Sequence, residues 1–298
     1  MSHVAVQQLL FEAPLDHIVN VASVRQLSPF RYPGGKTWLV PRIRAWLRRR
    51  PEEFIEPFAG GGIVSLTVAA ENLARHVTMV ELDEQVGAVW RTIFTDGEAA
   101  WLANRIIDFD LTLDSLREEL ARPAKSTREK AFQTILKNRT YHGGILAAGS
   151  APLRNGENGK GVRSRWYPET LCRRILELAN LRQRITFIAG DGLEVIRQKA
   201  LSPDAAFFID PPYTTAGKGA GRRLYTHYEL DHSLLFELAA TVKGDFLMTY
   251  ENAESVRQLA EKHGFDFEAV AMKNNHHAEM TELFIGRNLA WTKTNGES

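Results

Sequence analysis

A single cysteine, Cys172, is all the thiol chemistry that the 298 residues offer. That excludes an intramolecular disulfide and any cysteine-rich zinc site. Within Glu169-Thr170-Leu171-Cys172-Arg173-Arg174 it reads as a small, semi-buried helix position rather than a nucleophile, which argues against carbon-5 cytosine chemistry. Long apolar runs are missing too: no stretch of about eighteen such residues occurs, so no membrane-spanning helix is expected. The N-terminus lacks the basic segment, apolar core and small-residue cleavage site of a secretory signal, and a cytoplasmic address is the expectation. Charge of one sign is not in excess. Against 37 Lys and Arg stand 36 Asp and Glu, so binding to a polyanion would rest on local clusters and not on the net charge of +1. The dinucleotide fingerprint Gly-x-Gly-x-x-Gly is absent as well. The turn Gly60-Gly61-Gly62 has Val64 three positions after Gly61, so strand and helix are not pinched together for a pyrophosphate. Adjacent His276 and His277 would point apart on a strand and have no further ligands nearby, and no metal is expected.

What is present is a core-forming composition, 44% hydrophobic and 24% charged, arranged as alternating strands and helices. Strands are expected at Glu53 to Phe58, His76 to Leu82, Ile185 to Ala189, Asp204 to Asp210, Asp245 to Tyr250, Phe265 to Met272 and Thr281 to Arg287. The last two are joined by a short polar loop, so the sheet should close with an antiparallel hairpin. The alternation stops between Trp90 and Leu181, where amphipathic segments such as Asp114 to Leu120 and Arg128 to Leu136 make the connection too long for a simple crossover. We therefore expect an N-terminal arm (1–28), a catalytic domain (29–90 and 182–298) and a mainly helical insertion (91–181).

The chain is organised around Phe207-Phe208-Ile209-Asp210-Pro211-Pro212-Tyr213. An apolar run ending in Asp delivers an acid to the carboxyl edge of a parallel sheet, where open α/β folds bind ligands. Two prolines then forbid ladder hydrogen bonds, leaving carbonyls as outward acceptors, and Tyr213 adds a flat face. A carboxylate beside a carbonyl suits an exocyclic amino group with two hydrogens to give. Upstream, Phe54-Ile55-Glu56-Pro57-Phe58-Ala59-Gly60-Gly61-Gly62 is a strand running into a glycine turn, and Phe30-Arg31-Tyr32-Pro33-Gly34-Gly35-Lys36 places glycines before the helical run Thr37 to Arg50. The arginines of that run, Arg42, Arg44, Arg48, Arg49 and Arg50, read as a solvated face.

Taken together, these motifs and their order resemble the Dam-type (alpha group) S-adenosylmethionine-dependent DNA adenine-N6 methyltransferases. The resemblance covers roughly Phe30 to Asn288 and implies a seven-stranded, Rossmann-like methyltransferase sheet with an inserted helical target-recognition domain. It implies S-adenosylmethionine as cofactor, S-adenosylhomocysteine as product, no metal, and double-stranded DNA as partner of a monomer. Asp210, Pro211, Pro212 and Tyr213 become the catalytic motif, with Asp210 also near the cofactor. Tyr32, Lys36, Phe58, Ala59, Gly60, Gly62, Glu81 and Asp191 become cofactor contacts. Glu81 is favoured as the ribose acid with Asp83 in reserve, and by local chemistry alone Asp191 reads first as a helix cap. The basic, glycine-rich stretch after Lys137-Asn138-Arg139 is implied to form a recognition hairpin, with Asn138, Arg139, Arg154, Lys160, Arg163 and Arg165 on DNA. A second loop, carrying Lys218, Arg222 and Arg223, reads as a phosphate clamp. Two alternatives stay open: a cytosine-N4 enzyme, though relatives of that kind more often carry Ser where Asp210 stands, and a catalytically silent DNA-binding protein on the same scaffold.

Overall fold

The computed structural model describes residues 24–31, 35–156, 159–212, 230–273 and 279–292. Seven strands form one sheet: β1 (Glu53–Glu56), β2 (His76–Glu81), β3 (Ile185–Ala189), β4 (Ala205–Ile209), β5 (Asp245–Glu251), β6 (Asp266–Lys273) and β7 (Glu279–Gly286). Their order is β3-β2-β1-β4-β5-β7-β6. The first five run parallel, and β7 lies antiparallel between β5 and β6. The expected seven-stranded α/β sheet with its terminal antiparallel hairpin is what forms.

Side chains alternate across the sheet, so neighbouring residues feed different cores. Phe54, Met79, Phe208, Leu247 and Phe284 enter one apolar cluster, while Ile55, Val80, Phe207, Ile209, Met248 and Ile285 enter the other. The helices of residues 40–179 are α1 (Val40–Trp46), α2 (Ile63–Ala70), α3 (Glu84–Phe94), α4 (Glu98–Ile107), α5 (Leu113–Ala121), α6 (Thr127–Thr140) and α7 (Pro168–Ala179). Nearly all of their buried apolar side chains belong to the first cluster, which runs from the sheet through Trp90 to Leu102, Phe132 and Ile175. On the opposite face, α8 (Gly192–Lys199), α9 (His232–Thr241) and α10 (Glu254–Lys262) cover the second cluster.

Several elements differ from the sequence reading. The expected helix Thr37 to Arg50 is three pieces, a 3-10 turn at Lys36–Leu39, α1, and a second 3-10 turn at Leu47–Arg49. Strand β1 ends at Glu56, because Pro57 has no N–H to continue the ladder. Val24, Leu27 and Ser28, placed by sequence in the N-terminal arm, are buried. The recognition hairpin is absent from the described residues of its stretch. In its place a loop is pinched by one antiparallel bridge between Tyr141 and Pro152, and a 3-10 turn follows at Gly161–Arg165. Glycines 143, 144, 149, 156, 159 and 161 all sit at positive φ, a backbone that coils instead of pairing as strands.

Candidate active site

Three acids end neighbouring strands at the carboxyl edge: Glu56 on β1, Glu81 on β2 and Asp210 just after β4. Between them passes the glycine turn. Ala59 donates its N–H to the Val80 carbonyl at 2.9 Å, and Gly62 donates to the Ala59 carbonyl at 2.7 Å. Gly62 has φ +66°, and a Cβ there would lie 2.7 Å from Met79 Cε and 3.0 Å from Trp90 Cζ2, so a side chain would both strain the backbone and clash. Gly60 is held from two sides: its N–H donates to Glu81 Oε2 at 2.7 Å, and its carbonyl accepts from Trp90 Nε1 at 2.9 Å.

Glu81 Oε1 accepts from the Asp83 N–H at 2.8 Å, so one oxygen is held by the start of α3 and the other by the glycine turn. Asp83 is occupied elsewhere, capping α3 by accepting from the Gln85 and Val86 N–H groups at 2.7 and 3.1 Å. Burial pushes the Glu81 carboxyl up to about 7, opposed by hydrogen bonds from the Asp83 and Gly60 backbone. Glu56 accepts from the Ser65 N–H at 3.0 Å, and burial pushes it up to about 8.

Asp210 is anchored twice. Its Oδ1 accepts from Thr249 Oγ1 at 2.7 Å and lies 3.2 Å from Lys36 Nζ. Lys36 also donates to both oxygens of Glu282, each at 3.0 Å. Burial works against the lysine's charge, but Asp210 and Glu282 outweigh it and the ammonium is held above its ordinary value. Burial pushes the Glu282 carboxyl up to about 7 while Lys36 pulls the other way. Past the acid, Pro211 is buried and Pro212 half-buried. Glu282 and Thr249 were not singled out from sequence. The signal present was an acid two positions before the apolar Phe284 on an expected strand, a same-face placement that requires a buried partner.

The other expected site residues scatter. Phe58 is half-buried and Ala59 buried, both at the glycine turn. Asp191 is exposed and caps α8, accepting from the Leu193 N–H at 2.9 Å, in line with its local reading. Tyr32, Tyr213, Lys218, Arg222 and Arg223 lie outside the described residues.

Asn138 and Arg139 require correction. Asn138 is fully buried and ties three backbone groups: Nδ2 donates to the Arg31 and Gly144 carbonyls at 2.9 and 2.7 Å, and Oδ1 accepts from the Arg31 N–H at 2.8 Å. Such an amide is a staple between segments and presents nothing to a duplex. Arg139 is 5% exposed, and burial with Arg174 and Arg31 nearby lowers it to about 10, so it too is withdrawn from the surface. Arg154 and Lys160 are exposed and Arg165 is half-buried. Arg163 is engaged with the Leu111 carbonyl and, at 2.8 Å, with Asp110, which fastens the 3-10 turn to the loop before α5.

The family model for D12 class N6 adenine-specific DNA methyltransferase matches residues 32–280. The chain belongs to that family. Among curated proteins, this D12-class methyltransferase is similar to the Type II methyltransferase M.MjaIII of Methanocaldococcus jannaschii, 21% identical over 241 residues that cover 72% of this chain and 78% of the relative. Similar solved structures include a methyltransferase from Geobacter sulfurreducens, at 13% identity and TM-score 0.38 with 96% of each chain covered. Another is the rRNA methyltransferase aviRa from Streptomyces viridochromogenes, at 14% identity and TM-score 0.35, covering 97% of this chain and 96% of that one. Scores this low add nothing to the topology read from the strand order. Family and fold make the protein an S-adenosylmethionine-dependent methyltransferase, and the donor set fits that cofactor: bare glycine backbone at Gly60 and Gly62, with the Glu81 carboxylate beside it. Among the described residues, no group of three or more His, Cys, Asp or Glu could hold a metal ion, and no helix is long and apolar enough to cross a membrane.

Proposed function

We propose that this D12-class protein is a site-specific, Dam-type DNA adenine-N6 methyltransferase that acts, as a cytoplasmic monomer, on an adenine flipped out of duplex DNA. The observation that carries the reading is the fixed carboxylate of Asp210, anchored by Thr249 and Lys36 directly before Pro211-Pro212.

Adenine's exocyclic nitrogen is a weak nucleophile because its lone pair is delocalised into the ring. An acceptor pair made of Asp210 and the Pro211 carbonyl would draw on its two hydrogens and favour a pyramidal nitrogen, whose lone pair then points along one line. When bound, S-adenosylmethionine would supply the electrophilic methyl group, its S–CH3 bond breaking to give S-adenosylhomocysteine as the N–CH3 bond forms, and the methylated nitrogen would then release one of its two hydrogens as a proton. Around the glycine turn, Phe58, Ala59, Gly60, Gly62 and Glu81 would hold the cofactor, with Glu81 placed to accept from its ribose hydroxyls. A paired base cannot bring its amino group to a sheet edge, so the target leaves the stack, and Tyr213 is assigned to cover its ring. We assign target recognition to residues 91–181, where Arg154 and Arg165 stand after the loop at Tyr141.

The test is expression in a host that lacks adenine methylation, followed by sequencing of its DNA for modified bases. N6-methyladenine within one short recurrent motif is the expected result. N4-methylcytosine would move the target to cytosine, and an unmodified genome from well-expressed, folded protein would leave only the DNA-binding role.

A further inference from the structure

Glu282 has no part in the functional reading above, yet it is a 7%-exposed acid on the inward face of β7 with both oxygens 3.0 Å from Lys36 Nζ. We infer that Glu282 is a positioning residue for methyl transfer, holding Lys36 so that Asp210 keeps both its orientation and its strength as an acceptor. The inference rests on the reading that Asp210 receives the target amino group.

An ammonium has three protons to donate. In this arrangement two go to Glu282, and Asp210 Oδ1 lies 3.2 Å away for the third. Thr249 grips the same Oδ1 at 2.7 Å, so two donors from different elements set the rotation of the carboxylate. Remove Glu282, and the four-carbon stem of Lys36 swings its whole charge onto Asp210, in competition with the amino group. The electrostatic consequence is equally direct. With all three side chains ionised the trio bears one net negative charge, suited to a nitrogen that turns positive as it takes a methyl group. With Glu282 neutral the trio bears none, and that stabilisation falls away.

Burial places the Glu282 carboxyl at about 7, so the switch between these two states falls in an accessible range. Among the described residues, the titratable or charged groups facing Glu282 are Lys36 and Asp210, together with Glu251, its register partner on β5; on the β6 side its partner is Val270.

The test measures kcat of the full-length protein with tritiated S-adenosylmethionine and unmethylated genomic duplex DNA, both saturating, from about pH 5.5 to about 9. Saturation removes effects of the cofactor site, including Glu81. Wild type should lose rate as pH falls through about 7. Glu282→Gln should retain cofactor affinity within about twofold by calorimetry, lose about tenfold in kcat near pH 8, and show no limb near pH 7. A wild-type kcat with the limb intact would overturn the inference, as would a loss confined to KM. Should Glu282→Gln fail to fold, Glu282→Asp decides: reduced kcat with the limb retained supports the role, and unchanged kcat removes it. Asp210→Asn separates the two levels of the argument. Near-wild-type turnover in that variant sinks the functional reading and the inference with it, whereas an inactive Asp210→Asn beside an unaffected Glu282→Gln sinks the inference alone.

Discussion

Glu81 and Glu56 end neighbouring strands, both buried enough to stay protonated well above the usual carboxylate range, and each gives a different prediction. For Glu81 the readout is cofactor affinity. An ionised acceptor on ribose hydroxyls is worth about 1.5 to 3 kcal/mol, so Glu81→Ala should weaken S-adenosylmethionine binding by about that much in calorimetry. Wild-type affinity should rise as pH rises through about 7, the point at which the acid ionises, and Glu81→Gln should flatten this dependence. Asp83→Ala, which removes a helix cap, should lower stability by about 1 kcal/mol and leave affinity alone. If Asp83→Ala loses affinity and Glu81→Ala does not, the ribose acid sits two residues later. For Glu56 the readout is stability. Its folded value of about 8 lies above the ordinary 4.5, so from 4.5 up to about 8 the native state holds a proton that the unfolded state has released. Stability is therefore highest at the acid end of that window and declines as pH rises through it. Glu56→Gln should remove up to about 1.4 kcal/mol per pH unit from the slope, measured by urea unfolding at several pH values. An unchanged slope would mean that the acid is ionised in the native protein.

Between elements, the Asn138 staple makes the sharpest prediction, because it joins the C-terminal turn of α6 to the segment that leads into Lys36. Asn138→Ala leaves the Arg31 and Gly144 carbonyls without that partner, which should cost about 2 kcal/mol or more in unfolding stability. Turnover should fall through Lys36 while the salt dependence of DNA binding stays as in wild type. If instead the salt slope drops and stability holds, Asn138 works on DNA after all. The staple also shows which parts of the architecture a sequence displays. A strand buried on both faces is an apolar run that ends at a change of chemistry, and for that reason β4 stops at Ile209, just before Asp210, while the half-buried edge strand β3 is found at Ile185–Ala189 as its β-branched run predicts. Asp210 and the glycine turn were legible because each is a local pattern. Asn138 was misplaced because a polar side chain in a polar stretch looks the same whether it meets a duplex or a backbone. The Lys36–Glu282 pair spans 246 residues and leaves no local trace beyond an inward acid. The arginines and glycines of 154–165 were read as a hairpin, yet the turn of Arg163 toward Asp110 depends on a loop that lies 53 positions earlier.

At the scale of the whole molecule a net charge of +1 provides no general attraction to a polyanion, so grip and reading of DNA must be local and separable. Neutralising Lys218, Arg222 and Arg223 should weaken binding to all duplexes alike and reduce the salt slope by about 0.9 for each phosphate that is no longer neutralised. Alanine at Arg154 or Arg165 should instead narrow the gap between cognate and non-cognate sites, by about 1 to 3 kcal/mol per bidentate base pairing. Matched duplexes titrated at several salt concentrations would show it. Should the second set lose affinity uniformly and the first alter which base is methylated, reader and clamp are reversed. The position of β7 has one more consequence. Because that strand is inserted between β5 and β6 and brings Glu282 back to Lys36, the charge network of the site joins residues 246 positions apart. A nascent chain that has not yet released residue 282 from the ribosome holds Lys36, Asp210 and the glycine turn, but lacks the strand that brings Glu282 to them. A chain cut before β7 would therefore keep the acid and the glycine turn and still lose the contact through which we infer that Lys36 is positioned.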